Sequence, residues 1–117
     1  MQQEFFTVWL DGIGQASIPL RKLTQYALNY ENAPDKARAF EQALGYNLTN
    51  FPLLLENLKR QIVHAPQIDK GQTPYGRRFQ IIVELLGVNQ KTAKVLTGWL
   101  IDQRTQACHL TTIHIDK

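Results

Sequence analysis

The spacing of apolar residues changes partway along the 117-residue chain, and this change constrains the fold more than any other feature. Between residues 20 and 62, apolar residues recur every three or four positions, which is typical of helices with one buried face. From residue 77 to residue 115 they alternate with polar residues, which is typical of strands with one buried face. Helices followed by strands predict an α+β domain in which the helices pack on one face of a mainly antiparallel sheet.

The N-terminal segment predicts one strand and the first helix. The run Phe5–Leu10 is rich in aromatic and β-branched residues and is followed by a Gly-containing turn at residues 11–14, as expected for a strand that ends in a turn. Ser17 is a suitable N-cap for the helix and Pro19 a suitable residue for its first turn. Leu20, Leu23 and Ala27 then follow at helical spacing.

Two more helices are predicted before the strands begin, which gives about three in all. The first covers Pro34–Leu44, and Gly45 is well placed to end it in the left-handed conformation. The second starts after Thr49 or Asn50, has Pro52 in its first turn and ends before Pro66. Its apolar stripe is Phe51, Leu55, Leu58 and Ile62.

Three strands are predicted after a loop at residues 67–76. Residues 77–85, 92–101 and 109–115 each alternate, and short turn signals separate them. Strands joined by short turns form an antiparallel meander. The chain shows neither a linker nor a repeat, and its length suits one core, so residues 1–117 are predicted to form a single domain.

Composition narrows the cellular setting and the chemistry. Charged residues interrupt every apolar stretch, and the first residues lack the pattern of a signal peptide, so we expect a cytoplasmic protein without a membrane partner. The single cysteine, Cys108, allows neither an internal disulfide nor a cysteine-built zinc site, and we expect it to be a small core residue. The sequence contains no phosphate-binding glycine loop and no cofactor motif, which predicts that the protein uses no metal and no small-molecule cofactor.

The positive charge of the chain lies in its C-terminal part. The net charge is +3, and residues 67–117 hold seven Lys and Arg against four Asp and Glu, so this part accounts for the whole excess. A basic region is consistent with a phosphate-bearing partner such as RNA, and it is equally consistent with an ordinary solvated surface.

Three histidines are candidate titratable groups. His64 lies near the predicted end of the third helix, where a cation complements the helix dipole. His109 and His114 lie on the last predicted strand at an odd separation, so regular alternation predicts that they point to opposite faces. Either one is a candidate general acid or base. Arg78 opens the first meander strand, and its guanidinium can bind a phosphate in bidentate fashion.

Five strings along residues 18–115 resemble the bacterial and phage family called domain of unknown function 6883. They are Ile18-Pro19-x-x-Lys22-Leu23-Thr24-x-Tyr26-Ala27-Leu28-Asn29, Lys36-Ala37-Arg38-x-Phe40-x-x-Ala43-Leu44-Gly45-Tyr46, Tyr75-Gly76-x-Arg78-Phe79, Thr92-Ala93-x-Val95-x-Thr97-Gly98-Trp99-Leu100-Ile101 and Leu110-Thr111-Thr112. The resemblance implies small stand-alone proteins and C-terminal domains of phage head-morphogenesis and polymorphic toxin proteins. The order of helices and strands also resembles the barnase–EndoU–colicin–RelE group of metal-independent ribonuclease toxins, which is an analogy of fold.

This resemblance implies a toxin-like ribonuclease whose partners are RNA and a cognate immunity or antitoxin protein. The candidate catalytic residues are Lys36, Arg78, Thr97, Thr112 (or Thr111 in its place) and His114. The alternative hypothesis is a non-catalytic interaction module, antitoxin-like or an adaptor, that works with a neighbouring gene product. It is based on the apolar residues Phe5, Phe6, Trp9 and Leu10, because an exposed apolar edge strand recruits partners.

Overall fold

A computed structural model describes residues 4–116, so Met1–Gln3 and Lys117 of the predicted domain lie outside the described residues. The described residues form an α+β structure, which confirms the predicted class. The strands are β1 (Phe5–Leu10), β2 (Gly14–Pro19), β3 (Ile68–Thr73), β4 (Gly76–Leu86), β5 (Thr92–Asp102) and β6 (Cys108–Ile115). The helices are α1 (Pro34–Leu44) and α2 (Phe51–Ile62), and a short π-helical segment covers Lys22–Ala27.

The six strands form one mixed sheet in the order β1-β2-β6-β5-β4-β3. The predicted meander is present as β4, β5 and β6, and β3 extends it by pairing with the outer side of β4. The β1–β2 hairpin joins this antiparallel part through a short parallel contact, in which Ala16 pairs with Cys108 and Ser17 pairs with His109. Beyond Ser17, β2 leaves β6, and the π-helical segment packs beside β6 instead.

Both α-helices cover the same face of the sheet. Helix α1 packs on β5 and β6, and helix α2 packs on β4 and on β1. One cluster of buried residues joins these helices to the strands, with Phe40, Leu54 and Trp99 among its fully buried side chains. We call the opposite face of the sheet the open face, since no α-helix within residues 4–116 packs on it.

Two of the three predicted helices, α1 and α2, are confirmed with their predicted starts, and α1 also with its predicted C-terminal glycine. Gly45 follows α1 with a φ of 78°, and its N–H donates to the carbonyl of Glu41, which closes the last turn. Pro52 lies in the first turn of α2, where its missing N–H costs no hydrogen bond. Within residues 4–116, neither helix has the length and the apolar character needed to cross a membrane.

Two local predictions are wrong. Ser17 is not a helix N-cap, because Gly14–Pro19 forms β2 and pairs along its whole length with β1. Helical structure begins only at Lys22 and is π-helical, since the N–H of Leu28 donates to the carbonyl of Leu23, five residues earlier. The region from residue 67 to 76 is not only a loop, because it contains the polar edge strand β3.

Candidate functional site

Strand β6 contains a β-bulge at Thr111 and Thr112. On the neighbouring strand β5, Gly98 pairs with Thr112 and Trp99 pairs with Leu110, so Thr111 is the extra residue. Leu110 and Ile113 are both buried against the helices. The two threonines between them therefore lie together at the open face, where a regular strand would place only one of them.

The bulge brings both histidines of β6 to the open face. His109 pairs with Leu100 and His114 pairs with Leu96, and these two leucines are four residues apart on β5. An even spacing on a regular strand means the same face. The prediction that His109 and His114 point to opposite faces is therefore wrong, because the extra residue shifts the alternation. The two imidazoles flank the bulge on one side of the sheet.

Gly98 provides the space that the two threonines occupy. A Cβ atom added to Gly98 would lie 2.8 Å from Cγ2 of Thr112 and 3.4 Å from Oγ1 of Thr111. Any larger residue at this position would push the threonines away from the neighbouring strand. The glycine on β5 and the bulge on β6 therefore form one structural unit.

Two lysines lie next to the bulge. Nζ of Lys36, on α1, donates a hydrogen bond to Oγ1 of Thr112 over 3.4 Å. Lys22 lies across the same small recess, of about 140 Å³, and its Nζ is 5.7 Å from the centre of the Tyr26 ring. We call this the lysine recess. Its lining residues are Lys22, Tyr26, Ala27, Lys36, Thr111, Thr112 and Ile113. Two ammonium groups beside hydroxyl groups form a site suited to an anion such as phosphate.

Arg78 lies on the other side of the bulge. It lines a recess of about 340 Å³, which we call the tyrosine recess, together with Thr73, Pro74, Tyr75, Leu100 and Thr111. Thr111 therefore borders both recesses. Its Oγ1 is buried and has no hydrogen-bond partner within residues 4–116, an exception among buried hydroxyl groups.

His109 borders a third and wider recess. This recess measures about 620 Å³, and Ser17, Arg21 and Thr24 also line it. Ser17, His109, Leu100 and Arg78 form one continuous row of paired residues across β2, β6, β5 and β4. Because neighbouring strands are about 4.8 Å apart, the backbones at His109 and Arg78 are about 10 Å apart, which allows both side chains to reach one ligand.

The cations of this surface are not neutralised by carboxylates. Lys22, Lys36 and Arg78 form no ion pair with any residue in the described part of the chain. The neighbouring Arg77 differs, since its Nη1 donates to Oδ2 of Asp69 over 2.7 Å. The N–H of Gly71 and this guanidinium hold the pKa of the Asp69 carboxyl group below its usual range. Arg77 is thus engaged, while Arg78 is available to a ligand.

The orientation of the His114 ring is fixed by the backbone. Its Nδ1 lies 3.0 Å from the carbonyl oxygen of Ile115. A carbonyl oxygen only accepts hydrogen bonds, so Nδ1 carries the proton of this contact. In the neutral ring Nε2 then holds a free electron pair, which is the arrangement that a general base requires.

Thr97 lies apart from the other predicted site residues. It is fully buried on the face covered by the helices, where Oγ1 donates to the carbonyl of Ile81 and accepts from Nε1 of Trp99, both over 2.8 Å. Its hydroxyl thus holds the indole of Trp99 in the core. Of the five predicted residues, the structure brings Lys36, Arg78, Thr112 and His114 around the bulge and leaves Thr97 outside.

Replacing Thr97 by valine is expected to lower the free energy of unfolding by about 1–3 kcal/mol, because the buried N–H of Trp99 loses its acceptor. Thr97→Ser keeps the hydroxyl group and should lose less. Thr92→Val, at an exposed position of the same strand, serves as the control. Urea denaturation of the three variants checks this, and equal midpoints for Thr97→Val and the wild type would contradict the assigned role.

Sequence reasoning gave no role to Lys22 or Tyr75 and preferred His114 over His109. The resemblance strings contained Lys22 and Tyr75, but their position at the site depends on contacts between distant segments. Cys108 is buried as predicted, and burial raises the pKa of its thiol to about 11. Among residues 4–116, no group of three or more His, Cys, Asp or Glu side chains is placed to bind a metal ion.

The fold and the site define a small α+β domain with a cationic surface around a bulge in strand β6. Residues 9–117 match the family model described as "Domain of unknown function (DUF6883)", and the chain belongs to this family. Comparison with curated proteins and with solved structures gave no match.

Proposed function

We propose that the protein is a toxin-like effector that cleaves RNA through the side chains around the β6 bulge. The observation that carries this proposal is the common placement of two histidines, two lysines and an arginine around Thr111 and Thr112. We call the set of Lys36, Arg78, His109, Thr112 and His114 the bulge site.

The positions of the two histidines fit the demands of RNA cleavage. Both lie on the open face, one on each side of the bulge, and the strand rise places each about 7 Å from it. In the proposed reaction the ribose 2′-oxygen loses its proton to a base and bonds to phosphorus, while the bond from phosphorus to the 5′-oxygen breaks. That oxygen takes a proton from an acid on the opposite side of the phosphate.

We assign a role to each residue of the bulge site. His114 acts as the base, because the contact of its Nδ1 with Ile115 leaves Nε2 free to accept a proton. His109 acts as the acid on the other side of the bulge. Arg78 and Lys36 bind the phosphate oxygens, whose negative charge increases in the transition state. Thr112, which accepts the hydrogen bond from Lys36, positions that lysine.

The biological setting of the proposal derives from the family resemblance. The resemblance implies a C-terminal domain of a phage head-morphogenesis or polymorphic toxin protein. In that setting the proposed effector acts on RNA in the cytoplasm of its target cell. Such an effector requires a cognate immunity or antitoxin protein in the cell that makes it. The mechanism itself uses only side-chain groups and needs no metal or small-molecule cofactor.

Expression of the wild-type chain in bacteria tests the proposal when it is compared with Arg78→Ala and with the matched control Arg77→Ala. We expect growth arrest and fragmented total RNA with the wild type and with Arg77→Ala, because Arg77 is paired with Asp69 and lies outside the bulge site. Arg78→Ala should relieve both effects. Growth at the normal rate with intact RNA in wild-type cells, at matched protein levels, would contradict the proposal.

A second candidate function is a non-catalytic interaction module that adds a partner strand to β1. Strand β1 lies at the edge of the sheet, and the Trp9 side chain is 59% exposed there. Leu10 does not contribute to this surface, because it is fully buried in the core. An intact RNA pool, together with thermal stabilisation by the product of a neighbouring gene that Trp9→Ala abolishes, would favour this candidate.

A further inference from the structure

We infer that the substrate is single-stranded RNA and that the tyrosine recess binds one of its unpaired bases against the ring of Tyr75. This inference depends on the proposed function, since it takes the bulge site as the position of the phosphate. It adds the class of RNA and the residue that distinguishes an unpaired base from a paired one.

The turn between β3 and β4 presents the ring of Tyr75 to solvent. The side chain is 77% exposed, the highest value among the exposed large hydrophobic residues within residues 4–116. The turn itself is well ordered by Thr73, whose Oγ1 accepts from the N–H groups of Tyr75 and Gly76 over 3.2 Å and donates to the carbonyl of Gly76 over 2.8 Å. These three hydrogen bonds hold the backbone of the turn, so the turn itself loses little conformational freedom when a ligand stacks on the ring.

The lining of the tyrosine recess matches a base that is attached to a phosphate. Pro74, Tyr75 and Leu100 supply an apolar wall, and Arg78 supplies a cation without a carboxylate partner in the described chain. The recess, at about 340 Å³, is within the range of small-ligand sites. A nucleobase has an apolar face that stacks on aromatic rings, and its nucleotide carries the negative charge that an arginine binds.

The position of the recess next to the bulge connects the base to the cleaved phosphate. Thr111 borders both the tyrosine recess and the lysine recess, so the two recesses are adjacent. One nucleotide can therefore place its base on Tyr75 and its phosphate over the bulge. Bases in a duplex are stacked on their neighbours and cannot be splayed onto a protein ring without unpairing. The arrangement favours single strands for this reason.

Equilibrium binding of a labelled 2′-O-methyl oligonucleotide tests the inference, because this probe lacks the attacking hydroxyl and is not cleaved. We expect Tyr75→Ala to raise the Kd by about 5- to 150-fold, the range found for the loss of one stacked base. Tyr75→Phe should stay within about twofold of the wild type, since the ring remains. The control is Trp9→Ala, which removes an exposed aromatic ring from β1, at the opposite edge of the sheet from β3.

An abasic series makes the test specific to the base. Removing the base at one position of the probe should weaken binding to the wild type as much as Tyr75→Ala does, and the two changes together should cause no further loss. Equal binding by wild type and Tyr75→Ala, a duplex that binds as tightly as the single strand, or no binding by the wild type would each overturn the inference.

Cleavage measured in parallel separates this inference from the proposed function. If the probe binds in a base-dependent manner but RNA of the same sequence is not cleaved, the proposed function is wrong and the base site is supported. Cleavage of RNA that is unaffected by Tyr75→Ala at limiting substrate would leave the proposed function standing and overturn the base site.

Discussion

Replacing His114 by alanine is expected to lower the rate of RNA cleavage by about 10²- to 10⁴-fold, which is the usual contribution of one general acid or base. His109→Ala should cause a loss of similar size, because the proposed mechanism needs a base on one side of the phosphate and an acid on the other. Both side chains are only partly buried on the open face, so neither change should alter the free energy of unfolding by more than about 1 kcal/mol.

Initial rates on a fluorescent single-stranded RNA, with protein in excess, measure this effect. His64→Ala is the matched control, since His64 is exposed and lies outside the bulge site. It follows the end of α2, and its Nδ1 contacts the carboxylate of Asp11, which follows β1. If His64→Ala slows cleavage as strongly as the other two substitutions, or if His109→Ala and His114→Ala retain nearly full rates, the assignment of acid and base is wrong.

Replacing Trp99 by alanine is expected to give the largest loss of stability, about 3–5 kcal/mol. The indole is fully buried, stacks on Phe79 with 6.2 Å between ring centres, and donates from Nε1 to Oγ1 of Thr97. Its removal leaves a cavity in the core and deprives the Thr97 hydroxyl of the hydrogen bond that it accepts. For a domain of this length we expect the Tm to fall by about 10–20 °C.

Trp9→Ala provides the comparison, because it removes the same side chain from an exposed position on β1. Calorimetric melting of the two variants should show a small shift for Trp9→Ala and a large one for Trp99→Ala. Similar shifts for the two would mean that Trp99 is not the centre of the core.

Those parts of the fold that depend on local patterns could be predicted from the sequence. Helix α1 carries its own signals, with Pro34 in the first turn and Gly45 at the end, and its bounds match the prediction. The long strands β4 and β5 alternate over many residues, so their faces were also predictable. Such signals act within a few residues and do not depend on the rest of the chain.

The strands at the margins of the sheet could not be predicted in this way. Strand β3 is an edge strand with the polar sequence IDKGQT, and it exists because the turn before β4 folds it back onto that strand. Strand β2 has Ser17 and Pro19 at positions that also suit a helix start, and only pairing with β1 decides in favour of a strand. In both cases contacts with another segment outweigh the local preference.

The candidate site was predictable as a set of residue types but not as a geometry. Lys36 and Thr112 are 76 positions apart, so their contact follows only from the packing of α1 on β6. The bulge has no distinct sequence signal, and without it His109 and His114 fall on opposite faces. Thr97 was predicted as a catalytic residue. In the structure its hydroxyl group instead holds Trp99 in the core.

Incubation of the purified protein with single-stranded RNA in the presence of a chelating agent, followed by identification of the product ends, tests the central claim most directly. Attack by the 2′-hydroxyl predicts fragments that end in a 2′,3′-cyclic phosphate and begin with a 5′-hydroxyl, and no fragments with the His109→Ala/His114→Ala double variant. Intact RNA with the wild-type protein, or fragments that begin with a 5′-phosphate, would contradict the claim that the bulge site cleaves RNA by this route.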